Sequence, residues 1–206
     1  MKVPGGSREQ KNERWSHVLN FILQEREYNT QRTCGVWLVY IGALIILSAL
    51  TGGELLIQPF LLGFGYFAGF VLILGLPFVN RKLAYGKNSK FQDSINNFSV
   101  VLNVVLCTAC GLIIGFEDLR LLWCSIFIAV GIHFFGFYFS QGKRMVLLGI
   151  LTVLNGVLGL ILISIPFIIF ALIDGLLKLL IGVKMMSKRK EAAIQEPDKN
   201  TPGLDL

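Results

Sequence analysis

Charge is scarce in this chain. Only 16% of its 206 residues are Asp, Glu, Lys or Arg, where a soluble domain carries about 25%. Hydrophobic residues make up 54%, and mean hydropathy is +0.66. A water-soluble globular domain is therefore not expected. The motifs of soluble catalysis are missing too: there is no Gly-rich phosphate loop, no H-E-x-x-H and no G-x-S-x-G. The stretches between apolar runs are too short to hold an active site outside a bilayer. One intramembrane histidine, one acid and distant cysteines do not form a metal-ligand set, so neither a metal nor a cofactor is expected. A cleavable signal is also lacking. Such a signal starts within the first few residues, whereas here the first apolar run starts near Cys34 behind a polar stretch. The first span is therefore expected to stay in the mature protein.

What is present is a succession of apolar runs near the ~18 residues that mark a spanning helix. They fall at about 34–50, 55–78, 94–115, 121–139, 145–163 and 166–186. Pro59 interrupts the second run near its start and Pro77 ends it. Pro166 divides the last two, being well suited to the first position of a new helix. Ahead of the spans, residues 1–33 are polar. Within them Ser7-x-x-Gln10 resembles a capping box, and Trp15, Val18, Leu19 and Ile22 recur at helical spacing opposite Arg14, Asn20, Gln24 and Glu25. This pattern predicts an amphipathic helix over residues 9–26, lying on the membrane surface. Residues 187–206 have the composition of a disordered tail.

The net charge of +6 does not point to nucleic acid, because the bases sit beside the spans rather than on one soluble face. Their distribution sets an orientation instead. Six Lys or Arg precede span 1, four lie between spans 2 and 3, two between spans 4 and 5, and five follow the core of span 6. The alternate connections hold only Arg120. Six spans with both termini cytoplasmic are expected, in a cell membrane. The bases Lys184, Lys188, Arg189 and Lys190 are expected to contact anionic lipid headgroups, at about 1 kcal/mol per charge.

Four spans carry a small or polar stripe, the kind that faces other helices. Span 3 has Asn96, Ser99, Asn103, Cys107 and Cys110; span 4 has Ser125, Ala129, His133, Gly136 and Ser140; span 5 has Thr152, Asn155, Gly156 and Gly159; span 6 has Ala171, Asp174, Gly175, Lys178 and Gly182. Gly65-x-x-x-Gly69 and Gly111-x-x-x-Gly115 are further close-packing candidates. A rise of 1.5 Å per residue puts Asp174 about 12 Å from the outer end of its span, and Asn103, His133 and Asn155 within about 12–20 Å of the same side. The four are expected at one level of the bilayer, with Lys178 one turn deeper.

Asp174 and Lys178 organise the functional reading. An ionisable group at a helix centre costs roughly 2.5–3.5 kcal/mol on insertion scales. Acid first and base four residues later is the favourable order on a helix. Two readings stand side by side: an internal ion pair that neutralises itself, or a proton, ion or substrate site with Asp174 as the titrating group. His133 has the same two readings, hydrogen-bonded packing or proton handling beside Asp174. Asn103 and Asn155 are expected to hydrogen-bond between helices. Cys107-x-x-Cys110, inside an apolar helix with no second pair, reads as packing.

The segment HFFGFYFSQGKRMVLLGILTVLNGVLG, residues 133–159, resembles a pattern in uncharacterised small multi-pass membrane proteins of bacteria. It has an aromatic span end after a His, a Gly-Lys turn, and a following helix bearing Gly and Asn. The resemblance implies a six-span bundle in a cell membrane and carries over no activity or functional residues. The expected fold is thus all-helical, with six transmembrane helices and an N-terminal interfacial helix. Two inverted three-helix halves are one way to arrange it. The expected function is a small transporter or permeation protein with a midplane polar site around Asp174. The alternatives are a membrane scaffold or accessory subunit, and last an intramembrane enzyme.

Overall fold

The computed structural model describes residues 28–84 and 86–187. The surface helix expected over 9–26, the tail after 187, and Lys188, Arg189 and Lys190 with it, lie outside the described residues. All regular structure among the described residues is helical. Helix α1 spans Gln31–Leu50 and is followed by a 3₁₀ turn, Gly53–Leu55. Helix α2, Pro59–Gly69, runs on into π-helical Phe70–Gly75, and α3 is Pro77–Leu83. Then come α4, Lys90–Ile114; α5, Leu119–Phe134; α6, Tyr138–Gln141; α7, Lys143–Ile161; and α8, Phe167–Met186.

Local chemistry sets these boundaries. Proline has no N–H to lose at a first helical position, so Pro59 starts α2 and Pro77 starts α3. The single run expected at 55–78 is accordingly divided. A capping box opens α4: the Gln92 N–H donates to Ser89 Oγ, and the Ser89 N–H donates to Gln92 Oε1. Asp118 caps α5 by accepting from the Leu121 N–H at 2.8 Å. Gly115, at φ 62°, ends α4, and Gly142, at φ 84°, separates α6 from α7; these left-handed conformations suit glycine. The run expected at 121–139 leaves α-helical geometry at Phe134 and continues through i→i−3 hydrogen bonds from Phe135 to Tyr138. Just there Gly136 lies against Ser99 of α4.

Helices α1, α4 and α7 are long and apolar enough to cross a membrane. Pro59–Gly75 and Leu119–Phe134 are apolar but shorter. Helix α8 has 20 residues and three charged side chains, Asp174, Lys178 and Lys184. Large apolar side chains cover the outside, among them Phe60, Phe64, Phe67, Phe98, Leu112, Ile113 and Leu180.

The neighbours run in the order α2–α1–α8–α7–α5–α4, each pair antiparallel. Consecutive three-helix halves therefore do not form: α4 packs on α5, while the last helix lies between α1 and α7. Glycine makes the tightest of these contacts. A Cβ on Gly35 would lie 2.7 Å from the Gly182 carbonyl oxygen, and one on Gly42 2.6 Å from that of Gly175. Gly131 and Gly149 oppose each other in the same way between α5 and α7. Apolar clusters fill the two ends. Ala49, Ile57, Trp123, Phe127, Phe167 and Ala171 pack at one, and Leu38, Phe134, Met145, Leu148, Ile181 and Met185 at the other.

Arg120 closes the first of these ends. Its Nε donates to the Gly159 carbonyl at 2.8 Å, Nη2 to Leu162 at 2.9 Å, and Nη1 to Ile165 at 3.0 Å and Ile163 at 3.3 Å. The last carbonyls of a helix have no intrahelical partner, and this guanidinium supplies one for α7 and the turn that follows. Hydrogen bonds from a charged donor are worth about 1.5–3 kcal/mol each when buried, and Arg120 is only partly buried. Arg120→Leu is expected to lower stability by about 2 kcal/mol in thermal unfolding of the detergent-solubilised protein. Lysine at this position is expected to recover less than half, since an ammonium cannot reproduce the planar fork. A polar network ties the opposite end: Gln31 Nε2 donates to the Gln141 carbonyl at 2.7 Å, Gln141 Nε2 to Thr30 Oγ1, and Thr30 Oγ1 to Asn88 Oδ1.

Candidate functional site

The most unusual chemistry of the interior sits on the buried face of α8. Asp174 and Lys178 are one turn apart, so their side chains point along the same face. That face is held inward by Ala171, Gly175 and Gly182, whose small side chains admit α1. Both ionisable groups are sealed off: Asp174 is 0% exposed and Lys178 1%. Lys178 Nζ donates to Asp174 Oδ2 at 2.5 Å. Phe134 of α5 puts its ring centroid 5.8 Å from Nζ, a cation–π contact.

The pair is incompletely served. Among the described residues, Asp174 Oδ1 has no hydrogen-bond partner, and neither does Thr152 Oγ1 of α7. Thr152 is 0% exposed. Two cross-links fix how α7 and α8 lie against each other. Asn155 Nδ2 donates to the Phe170 carbonyl at 2.9 Å, and Arg144 Nη1 donates to that of Lys184 at 2.5 Å. From the Asn155–Phe170 bond, Asp174 is four residues along α8 and Thr152 three residues back along α7. In an antiparallel pair these are the same direction, by about 6 and 4.5 Å. The two unpartnered oxygens thus belong to one level of the α7–α8 interface. A buried ion pair offsets its desolvation only when the remaining lone pairs and protons are also satisfied, a condition that Oδ1 leaves unmet.

The other expected residues divide between two levels. Asn155 is beside Phe170, one turn from Asp174 on the side away from Lys178. His133 lies on the Lys178 side, its ring 4.4 Å from that of Phe134 and 5.5 Å from that of Phe137, and it is 9% exposed. Its Nδ1 lies 2.5 Å from the Val130 carbonyl oxygen. A carbonyl can only accept, so Nδ1 carries the proton, and Nε2 is the acceptor of the neutral ring. Asn103 is on α4, half-buried, with Oδ1 accepting from Cys107 Sγ at 3.5 Å. Ser99 meets Gly136, and Asn96 accepts from Ser140 Oγ at 2.6 Å. That register puts Asn103 level with His133. Lys184 is exposed at the far end of α8.

The four cysteines are free, and the described residues contain no group of three or more His, Cys, Asp or Glu suited to a metal. Sequence reasoning marks Thr152 as a stripe residue but not as a partner for Asp174. It passes over Gly35 and Gly42 altogether. Their signal is a shared spacing: Gly35/Gly42, Gly149/Gly156 and Gly175/Gly182 all stand seven residues apart.

The class defined by these features is an all-helical protein with helices long and apolar enough to cross a membrane. Its charged centre lies on a buried helix face. The chain belongs to a family of unknown function, DUF6609, whose pattern matches residues 22–195. The match takes in every described helix. Neither the curated proteins nor the solved structures yield a match.

Proposed function

We propose that this protein is a six-span transporter or permeation protein of the cell membrane, with both termini cytoplasmic and a midplane polar site at Asp174. The spans are α1, α2 with its π-helical extension, α4, α5, α7 and α8. The Lys/Arg asymmetry of the connections supports the orientation. Helix α8 joins the spans because two of its three charges neutralise each other inside the bundle. The observation that carries the functional part is the unpartnered Asp174 Oδ1, fully buried at the level of an unpartnered Thr152 Oγ1. A purely structural pair has no use for an unsatisfied carboxylate oxygen, whereas a site that exchanges a proton or small cation does. The closed geometry then corresponds to an occluded state.

Reconstituted liposomes test this. Proton flux is read with an entrapped pH dye, and Na⁺ and K⁺ are offered as gradients. Protein-dependent flux of any of the three is expected, and Asp174→Asn is expected to abolish it. Liposomes no leakier than protein-free ones to all three ions would remove the transport reading.

A second reading has its own observation. The backbone-to-backbone contact of α1 and α8 at Gly42 and Gly175 suits a rigid scaffold or accessory subunit, with Asp174 and Lys178 as a lock inside it. Flux that survives Asp174→Asn would be carried elsewhere and would favour this second role for the pair.

A further inference from the structure

At the end of the bundle where α7 begins and α8 ends there is a groove of about 580 Å³, lined by Arg144, Leu147, Ile181, Lys184 and Ser187. Its composition is divided. Arg144 and Lys184 supply two cations and Ser187 a hydroxyl, while Leu147 and Ile181 make an apolar wall. No acid is among the lining residues. Two backbone features sharpen the polarity. The first turn of α7, starting at Lys143, lies beside the groove, so the positive end of the helix dipole is close to it. The carbonyl end of α8 lies opposite and would repel an anion, but Arg144 Nη1 covers it by bonding the Lys184 carbonyl.

The apolar wall does not stop at the groove. Leu147 is 52% exposed, and Ile150, Leu154, Leu158 and Ile161 continue the same outward face of α7, each between 44% and 67% exposed. From Leu147 to Ile161 this strip is about 21 Å long. A cationic mouth at one end of a long exposed apolar strip matches one ligand chemistry better than any other: a phosphate with an acyl chain attached.

We infer that this groove binds a single anionic phospholipid, its phosphate held by Arg144, Lys184 and Ser187 and one acyl chain laid along Leu147 and the α7 strip. The inference rests on the membrane placement proposed above but not on transport. It differs from a general attraction of the basic tail to an anionic surface, because the groove fixes one headgroup at one place.

The full-length protein in neutral detergent provides the test, with bound lipid read by native mass spectrometry. Phosphatidylglycerol is expected to be retained as one tight equivalent, and phosphatidylcholine of the same chains to bind at least about tenfold more weakly, because its choline cation would stand beside Arg144 and Lys184. Lys184→Gln, which leaves the backbone carbonyl for Arg144, is expected to weaken phosphatidylglycerol by about tenfold. Lys184→Arg is expected to retain it. Leu147→Trp, which fills the apolar half, is expected to weaken it with all charges in place. A triple Gln replacement of Lys188, Arg189 and Lys190 is expected to keep the preference.

Equal retention of the two lipids overturns the proposal. So does a preference that follows the tail residues rather than Lys184. Competition by millimolar inorganic phosphate as effective as competition by the lipid assigns the groove to a free anion and overturns it as well. Recovery of the chain in the aqueous phase without detergent would remove the membrane placement itself, an outcome distinct from a membrane-embedded protein with no lipid preference.

Discussion

Lys178→Leu is expected to lower stability by about 3–5 kcal/mol. Among the described residues the ammonium is the only hydrogen-bond partner of the Asp174 carboxylate, through Oδ2, while Oδ1 has none. Removing it leaves a bare carboxylate at a site that is 0% exposed. Asp174→Asn is expected to be costly for the mirror reason, leaving a buried ammonium against the Phe134 ring. The double variant, Asp174→Asn with Lys178→Leu, is expected to return to within about 1 kcal/mol of the wild type or to exceed it, since neutral replacements of buried pairs are often neutral or stabilising. Thermal unfolding of the four proteins in one detergent gives the coupling directly. The unpartnered Oδ1 tilts the expectation toward a double variant more stable than the wild type. Flux then separates the roles. A double variant that folds and transports nothing places the pair in the permeation path. One that folds and transports normally makes it a helix lock.

The second large effect lies at the glycine contact. Gly42→Leu is expected to prevent α1 and α8 from docking. Its Cβ alone would sit 2.6 Å from the Gly175 carbonyl oxygen and 3.0 Å from the Leu179 backbone nitrogen. Both are backbone atoms, which cannot rotate away as a side chain can. Forcing extra atoms into packed cores typically costs about 1–3 kcal/mol; here the whole side chain must be placed where two backbones touch, so loss of the folded species is the expected readout in size-exclusion chromatography. Gly175→Leu is expected to match it, because its Cβ would meet the Gly42 carbonyl oxygen at 2.8 Å. Gly63 of α2 and Gly111 of α4 are the controls, since a Cβ at either would have nothing within 4 Å. Alanine there is expected to stabilise by about 0.5–1 kcal/mol through helix propensity. If Gly42→Leu is as stable as Gly63→Ala, the close α1–α8 approach is not the basis of this interface.

Much of this architecture is legible in the residues one at a time. Apolar runs become helices at nearly the expected places, because a run of that length has few alternatives. Pro59, Pro77 and Pro166 mark boundaries by a property of proline itself, the missing N–H. The sequence also points to α8 as the helix with buried charge, since three charges in 20 apolar residues must be accommodated somehow. Pairing between distant helices is not legible. That α8 packs on α1, and α4 on α5, depends on which small-residue faces meet, and all the stripes look alike in isolation. Asn155 illustrates the limit. Its polarity predicts an interhelical bond, but the acceptor is the Phe170 carbonyl, a backbone atom present at every position. The common level expected for Asn103, His133, Asn155 and Asp174 assumes straight, equally placed helices. The observed registers spread them over about two turns, with His133 toward Lys178 and Asn155 beyond Asp174. Arg120 is visible only as the lone base of its side, a counting fact that holds no hint of the carbonyls it gathers.

The contact between α1 and α8 also sets an order of events in biosynthesis. Its two faces are the first and last of the long helices, and Gly35 and Gly182 touch across nearly the whole described chain. At 5–20 residues per second, the roughly 150 residues between them take about 7–30 s to synthesise. Throughout that interval the glycine face of α1 lacks its partner, and for most of it Asp174 and Lys178 do not yet exist. The bundle therefore closes only at the end of translation. A chain released early keeps an open seam along α1, at the glycine positions that α8 would cover.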